Sequence, residues 1–135
     1  MIARPPLPEL RFENIPFWTG GAKGELLIQR CRACSRWVHP PLPRCPSCLA
    51  SDVPCEPVSG RGRVLTFTVN HHAWFPGQAV PYVLAIVELE EAADLRVATR
   101  LVNVEPKEVR IGLAVRVRFE QVEDVWLPLF EPDVR

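Results

Sequence analysis

Two Cys-x-x-Cys pairs, Cys31-Arg32-Ala33-Cys34 and Cys45-Pro46-Ser47-Cys48, lie ten residues apart in the chain. Each pair lets two thiolates converge on one ion, and two pairs make the closed four-sulfur tetrahedron typical of structural zinc. The spacing is shorter than the commonest ribbon spacing, but two short hairpins with proline corners supply it. Iron suits the same ligand set. Disulfides fit less well, because MIARPPLPEL has no apolar signal core and a fifth cysteine is left over. A thioredoxin-type redox pair would need a βαβ context, which the pattern lacks. With four protein ligands, no open position remains for a catalytic water. Cys55 reads as a buried thiol at the junction between the cysteine-rich segment and the strands downstream of it, since no base stands beside it to make it a nucleophile.

The segment 31–55 alternates cysteines with proline-rich links and has too little apolar content to fold on a core of its own. From Gly60 the pattern changes to period two. Leu65, Phe67 and Val69 alternate with Thr66, Thr68 and Asn70. Tyr82–Leu89 is nearly all apolar and reads as a strand buried on both sides. Leu95–Leu101 and Val115–Glu120 alternate with arginines, and Val125–Phe130 makes a last strand in which Pro128 demands an edge or a bulge. Glu105–Val109 fits one helical turn. Upstream, Glu25–Arg30 reads as a strand leading into the cysteines. Five strands with a short helix after the third is the layout of an OB-fold barrel, and a five-strand sandwich or SH3-like barrel is the competing arrangement. The expected organisation is mostly β: an extended arm over 1–16, a zinc ribbon over 17–57, and a five-stranded OB-fold barrel with its tail over 58–135.

Composition narrows the function. With 16 basic and 16 acidic residues the formal net charge is zero, so no global field draws nucleic acid or membrane. No apolar run approaches the length of a membrane span, and the expected location is the cytoplasm. Fifteen prolines argue against long helices. Only Lys23 and Lys107 are lysines, leaving fourteen arginines, the side chain suited to forked contacts with phosphate. Arg30, Arg32, Arg36, Arg44, Arg61 and Arg63 make the stretch around the cysteines locally basic.

Taken together, the residues resemble a family of zinc-ribbon/OB-fold proteins associated with acyl-CoA metabolism. The resemblance runs from Pro16-Phe17-Trp18 through Gly24-Glu25-Leu26, the knuckles and Pro40-Pro41. It continues through Gly60-x-Gly62-x-Val64, Thr66–Val69, Pro81-Tyr82, Val87–Leu89 and Ile111-Gly112 to Leu127-Pro128-Leu129-Phe130-x-Pro132. It covers about residues 16–132, and its specificity lies in the order of these motifs around the knuckles. Two positions depart: Ser35 stands where a glycine usually follows the second cysteine, and His39 where an aromatic often precedes Pro-Pro. The resemblance implies a rubredoxin-like zinc ribbon and an OB barrel. It also implies an accessory, non-catalytic subunit that binds a thiolase-superfamily or aldolase partner in a hetero-oligomer and helps hold or channel an acyl-CoA, as in the cleavage of steroid CoA-thioester side chains.

Three further readings bear on sites. The arginines are either a solvated surface, a grip on CoA phosphates (Arg36, Arg61 and Arg63), or part of a nucleic-acid groove in the alternative in which this is an OB-fold nucleic-acid module. Zero net charge and few exposed aromatics weigh against nucleic acid. His71-His72 with Trp74-Phe75 forms either a docking surface, loop packing or a catalytic pair. Phe17, Trp18, Trp74 and Phe75 are the candidate anchors for a partner.

Overall fold

The computed structural model describes residues 6–134, so residues 1–5 of the expected arm lie outside the described residues. The rest of that segment is not extended throughout. A turn, closed by the Asn14 and Ile15 amides on the Arg11 carbonyl (3.0 and 2.9 Å), leads into α1, Ile15–Thr19. Pro16 occupies its first turn, where a missing N–H costs nothing. Gly20–Lys23 then forms a 3-10 turn. A Cβ on Gly21 would lie 2.5 Å from the Trp126 Cβ and 2.6 Å from Phe119, so the absence of a side chain is what seats this turn against the barrel.

The ribbon is a three-stranded antiparallel sheet with β1 (Leu26–Arg30) between β2 (Trp37–Val38) and β3 (Cys55–Val58). Its own apolar cluster is small: Cys31, Val38 and Cys45, with Ala50 and Val53 packed on them. Leu26 and Ile28 of β1 turn the other way and join Phe17 in the core of the barrel. Between these two clusters sits Gln29, 4% exposed. Its amide donates to the Leu42 and Val53 carbonyls (2.8 and 3.2 Å) and accepts from the Leu42 N–H (2.7 Å). A buried amide is tolerated only when satisfied in this way, and here it ties both proline-rich links to the central strand.

The barrel comprises β4 (Arg61–Asn70), β5 (Tyr82–Leu89), β6 (Arg96–Leu101), β7 (Ala114–Val122) and β8 (Val125–Pro132). It closes in the order β4-β5-β6-β8-β7, with a 3-10 turn at Pro106–Glu108 between the third and fourth strands. This is the expected OB layout. Val64, Val83, Val87, Val97, Val115 and Phe130 fill its interior. Pro128 sits where the seam is weakest. β6 and β8 share one registered pair, Leu101 with Phe130, and the Thr99 hydroxyl donates to the Pro128 carbonyl (2.9 Å) across the gap.

One strand departs from expectation. In β5, Val83, Ala85, Val87 and Leu89 face the core, but Leu84 on the other side is 43% exposed and Ile86 is half-buried. The strand is apolar on both faces and covered by this chain on one. Among the described residues no helix is long and apolar enough to cross a membrane.

Gly62 lets β4 and β5 approach: a Cβ there would fall 2.3 Å from the Glu88 carbonyl oxygen, which is backbone and cannot swing aside. Gly62→Ala is expected to destabilise the barrel by about 1–3 kcal/mol, the usual cost of overpacking. Urea unfolding measures it, and an unchanged midpoint would refute the close approach.

Candidate functional site

The two knuckles are built alike. The Ser35 amide reaches the Cys31 carbonyl (2.8 Å), and the Leu49 amide reaches that of Cys45 (2.9 Å). The Cys31 amide returns to Arg36 (2.8 Å) and that of Cys45 to Ala50 (3.0 Å). Ser35 and Leu49 both adopt positive φ, 64° and 65°. This is the position at which a glycine is usual, and a left-handed residue is what folds each loop back over its sulfurs. Cys31 and Cys45 are buried, while Cys34 and Cys48 lie on the outer side.

The four Sγ atoms all lie within 4.8 Å of one another. Cys31 to Cys48 is 3.5 Å and Cys34 to Cys45 is 3.6 Å. Zinc–sulfur bonds of about 2.3 Å in a tetrahedron place sulfurs about 3.8 Å apart, so the cluster has the dimensions of a four-thiolate ion site. The backbone prepares it. The Cys34 amide, 3.5 Å from the Cys31 Sγ, is the main influence holding that thiol below its usual range. Chiefly the Cys48 amide brings Cys45 down to about 6. Cys34 goes the other way: the Arg36 amide pulls it down, but burial and the neighbouring thiols prevail and push it up to about 12. Four sulfurs this close ionise together only around a cation. Cys55, on β3 opposite Gln29, stands apart from the cluster, and burial raises its thiol.

The arginines divide into two groups. Those of the ribbon tie loops: Arg36 hydrogen-bonds the Ser47 hydroxyl, and Arg44 donates to the Leu49 carbonyl. Arg32 pairs with Asp52 (3.0 Å). Arg30 lies 4.6 Å over Trp37 and donates to the Ser35 carbonyl. Arg61 and Arg63 instead share a cleft of about 620 Å³ on the barrel, together with Glu88, Glu90 and Asp133. Arg61 is 3.7 Å from Asp133 and Arg63 donates to the Gly112 carbonyl. Arg36 does not line that cleft, so the structure does not gather the three arginines named from sequence.

The aromatic candidates divide too. Phe17 is 4% exposed, its ring 4.7 Å from that of His39 and 4.8 Å from that of Trp18. It is a joint between ribbon and barrel, and its burial removes it as a partner anchor. Trp18 and Phe75 are half-buried, while Trp74 is 70% exposed. Trp74 is held rather than loose: its amide donates to Gln78 (2.8 Å), and its ring meets His72 edge-on at 4.6 Å. No hydrogen bond among the described residues joins His71 or His72 to a hydroxyl or thiol. Sequence reading missed Gln29 and the role of His39. The His39 ring packs at the joint as the usual aromatic would, in a cleft of about 370 Å³ with Phe17, Trp18, Pro40, Leu127 and Pro128. Burial pushes its imidazole down to about 4.

A cysteine-knuckle ribbon seated on an OB barrel defines a zinc-ribbon/OB-fold protein. Family models described as "ChsH2, rubredoxin-like zinc ribbon domain" and "ChsH2, C-terminal OB-fold domain" match residues 18–54 and 56–120. The chain belongs to this ChsH2-type DUF35 family. It superposes on a chain of the solved "Ltp2-ChsH2(DUF35) aldolase" with a TM-score of 0.82 and 38% identity, covering 95% of this chain and all of that one. It is 38% identical over 131 residues, 96% of its length, to a probable enoyl-CoA hydratase alpha subunit of Thermomonospora curvata. It is 35% identical over 75 residues to the benzoylsuccinyl-CoA thiolase subunit BbsA of Thauera aromatica, covering 53% of this chain and 48% of that one. The chain spans about 40% of the length of the hydratase alpha subunits it matches.

Two outcomes test the site. Cys45→Ser is expected to abolish stoichiometric zinc and unfold the ribbon, since structural zinc supplies folding free energy directly, whereas Cys55→Ser leaves metal content unchanged; metal analysis with circular dichroism reads both. His39 has a folded pKa below its unfolded value, so its contribution to stability is present above about pH 6.5 and is lost as pH falls toward 4. The His39 ring is expected to titrate near pH 4 in an NMR series, and a midpoint near 6.5 would show that it is not buried.

Proposed function

We propose that the protein is a zinc-stabilised, non-catalytic subunit of a hetero-oligomeric complex that processes acyl-CoA esters, with a thiolase-superfamily or aldolase chain as partner. The observation that carries this reading is the whole-chain match to a component of an aldolase, beside relatives named for a hydratase and a thiolase. One module found beside three different reactions serves what those reactions share, which is the CoA ester and the assembly.

Cys31, Cys34, Cys45 and Cys48 hold the zinc, which fixes the ribbon and, being fully coordinated by protein, takes no part in chemistry. His71 and His72 act as loop residues beside a presented tryptophan. Arg61 and Arg63 offer two guanidinium groups in one cleft, suited to the diphosphate of CoA, and Trp74 with Phe75 and Trp18 offers contact to the partner. The outer face of β4-β5-β6 carries Leu84, Ile86 and Ala98 at its centre rather than a row of stacked aromatics, which gives the nucleic-acid alternative no platform.

The isolated chain is expected to turn over no acyl-CoA. In the assembled complex, replacing Arg61 and Arg63 together with glutamine is expected to raise the half-saturating acyl-CoA concentration roughly tenfold, as when one or two charge-assisted contacts are lost, with a smaller effect on the maximal rate. Steady-state assays of complex and isolated chain decide it. Enzyme-like turnover by the chain alone would overturn the reading.

A further inference from the structure

β5 is composed as a strand covered on both sides, and this chain covers only one. Its outward residues Leu84 and Ile86 lie beside Ala98 of β6 and Thr66 and Thr68 of β4, which are their registered neighbours or flank them. Together with Phe67, Ala85 and Thr99 they line an open, mostly apolar groove of about 570 Å³. Antiparallel sheets with one wet face normally alternate apolar with polar residues, and here the alternation fails at Leu84 and Ile86. The strands paired with it are more polar outward: β4 places Thr66 and Thr68 there, and β6 places Arg96 and Arg100 on either side of Ala98.

The border of the groove is charged and mostly of one sign. One row beyond Ile86, the registered residues are Arg63, Glu88 and Arg96; level with Leu84 is Arg100. Arg100 is shared with Glu120 at 3.5 Å and exposed, so it is only weakly neutralised. A second copy of this chain seated on the same groove would bring one border, richer in arginine than in acid, against another of the same kind. Like charges across an interface are costly, so the border disfavours self-association. It fits a different surface, apolar at its centre and acidic around it.

We propose that the outer face of β4-β5-β6, centred on Leu84, Ile86 and Ala98, is the docking surface for the partner enzyme subunit, and that the partner's contacting patch is apolar with acidic side chains around it. The proposal rests on the reading of the chain as an accessory subunit and names the face that reading leaves open. It also has a consequence for the CoA cleft. Arg63 and Glu88 belong both to the border of the groove and to the lining of that cleft, so a partner seated on the sheet stands beside the cleft.

The test is co-expression of the tagged full-length chain with the thiolase-fold subunit from the same host, followed by affinity capture and quantitation of that subunit by mass. Wild type is expected to retain it stoichiometrically. Leu84→Glu, which places a carboxylate against an acidic border, is expected to lower retention at least tenfold, and Arg100→Glu severalfold, while Lys107→Glu on the distant 3-10 turn has no effect. Leu84→Thr keeps a strand-forming side chain and guards against a folding defect; it is expected to weaken retention with zinc content and near-ultraviolet circular dichroism unchanged. Wild-type retention by both Leu84 variants overturns this face and leaves the subunit reading standing. Failure of the wild type to retain a thiolase-fold chain overturns the subunit reading and this proposal with it. An isolated chain that dimerises by light scattering, and loses the dimer in Leu84→Glu, assigns the face to a second copy and overturns the partner named here.

Discussion

Convergence of four sulfurs within 4.8 Å is the constraint on which the N-terminal half depends. The ribbon's private cluster holds three buried residues, two of them cysteines. So little apolar burial does not offset the conformational entropy of ordering some thirty residues at about 1–2 kcal/mol each. A metal supplies the missing free energy, and Gln29 supplies the missing cross-links between loops. Once the ribbon is rigid, its central strand can point Leu26 and Ile28 away from the metal and into the barrel. The ribbon is thereby a wall of the second module's core as well as a unit in its own right, and Phe17 with His39 closes the seam between them.

The barrel accepts this wall because it is weakly sealed where the ribbon meets it. β6 and β8 share a single registered pair, and the cleft with Phe17, Trp18 and His39 lies over the stretch where those strands diverge. Pro128, which cannot donate to a ladder, occupies that stretch at no cost. Elsewhere β4 and β5 are registered from Gly62 to Asn70, with a bulge between Val64 and Thr66 and a glycine where they come closest. The β4-β5 side carries the arginine cleft, while Ala98 and Thr99 of β6 border both the apolar groove and the cleft at the ribbon joint.

How much of the fold and site is legible in the residues depends on how local each signal is. The knuckles are legible because ligand spacing is a property of a few neighbouring residues. The barrel strands are legible because period-two alternation is local too, and Glu105–Val109 is legible because proline marks a first turn. Gly21 hides its second role: glycine in sequence suggests a turn, and here it also marks an approach to Trp126 and Phe119 more than ninety residues away. Phe17 looks like an exposed anchor for the same reason, since its burial depends on His39 and the barrel. Charge density along the chain groups Arg36 with Arg61 and Arg63, and the fold separates them. Gln29 has no signal, because a lone glutamine in a strand looks like any solvent-facing residue until its three hydrogen bonds to Leu42 and Val53 are seen.

The apolar run of β5 has the composition of a strand made to be covered twice, and the chain covers it once. That mismatch is informative because the composition is under two demands, folding and assembly, while the isolated structure satisfies only the first. Leaving Leu84 and Ile86 in water forgoes burial worth about 25 cal/mol per Å², which a monomeric barrel would avoid with two polar substitutions on a face where Thr66 and Thr68 already show that polar residues are accommodated. The arginine cleft beside that face points the same way. Arg61 lies 3.7 Å from a nearly buried Asp133 carboxylate and is committed to it, whereas Arg63 rests on a single carbonyl and is the freer of the two to take an anionic ligand. In the accessory role proposed above, these two features contribute binding energy remote from the reacting bond. Such energy accelerates a partner's chemistry when it positions the substrate rather than when it merely tightens the complex.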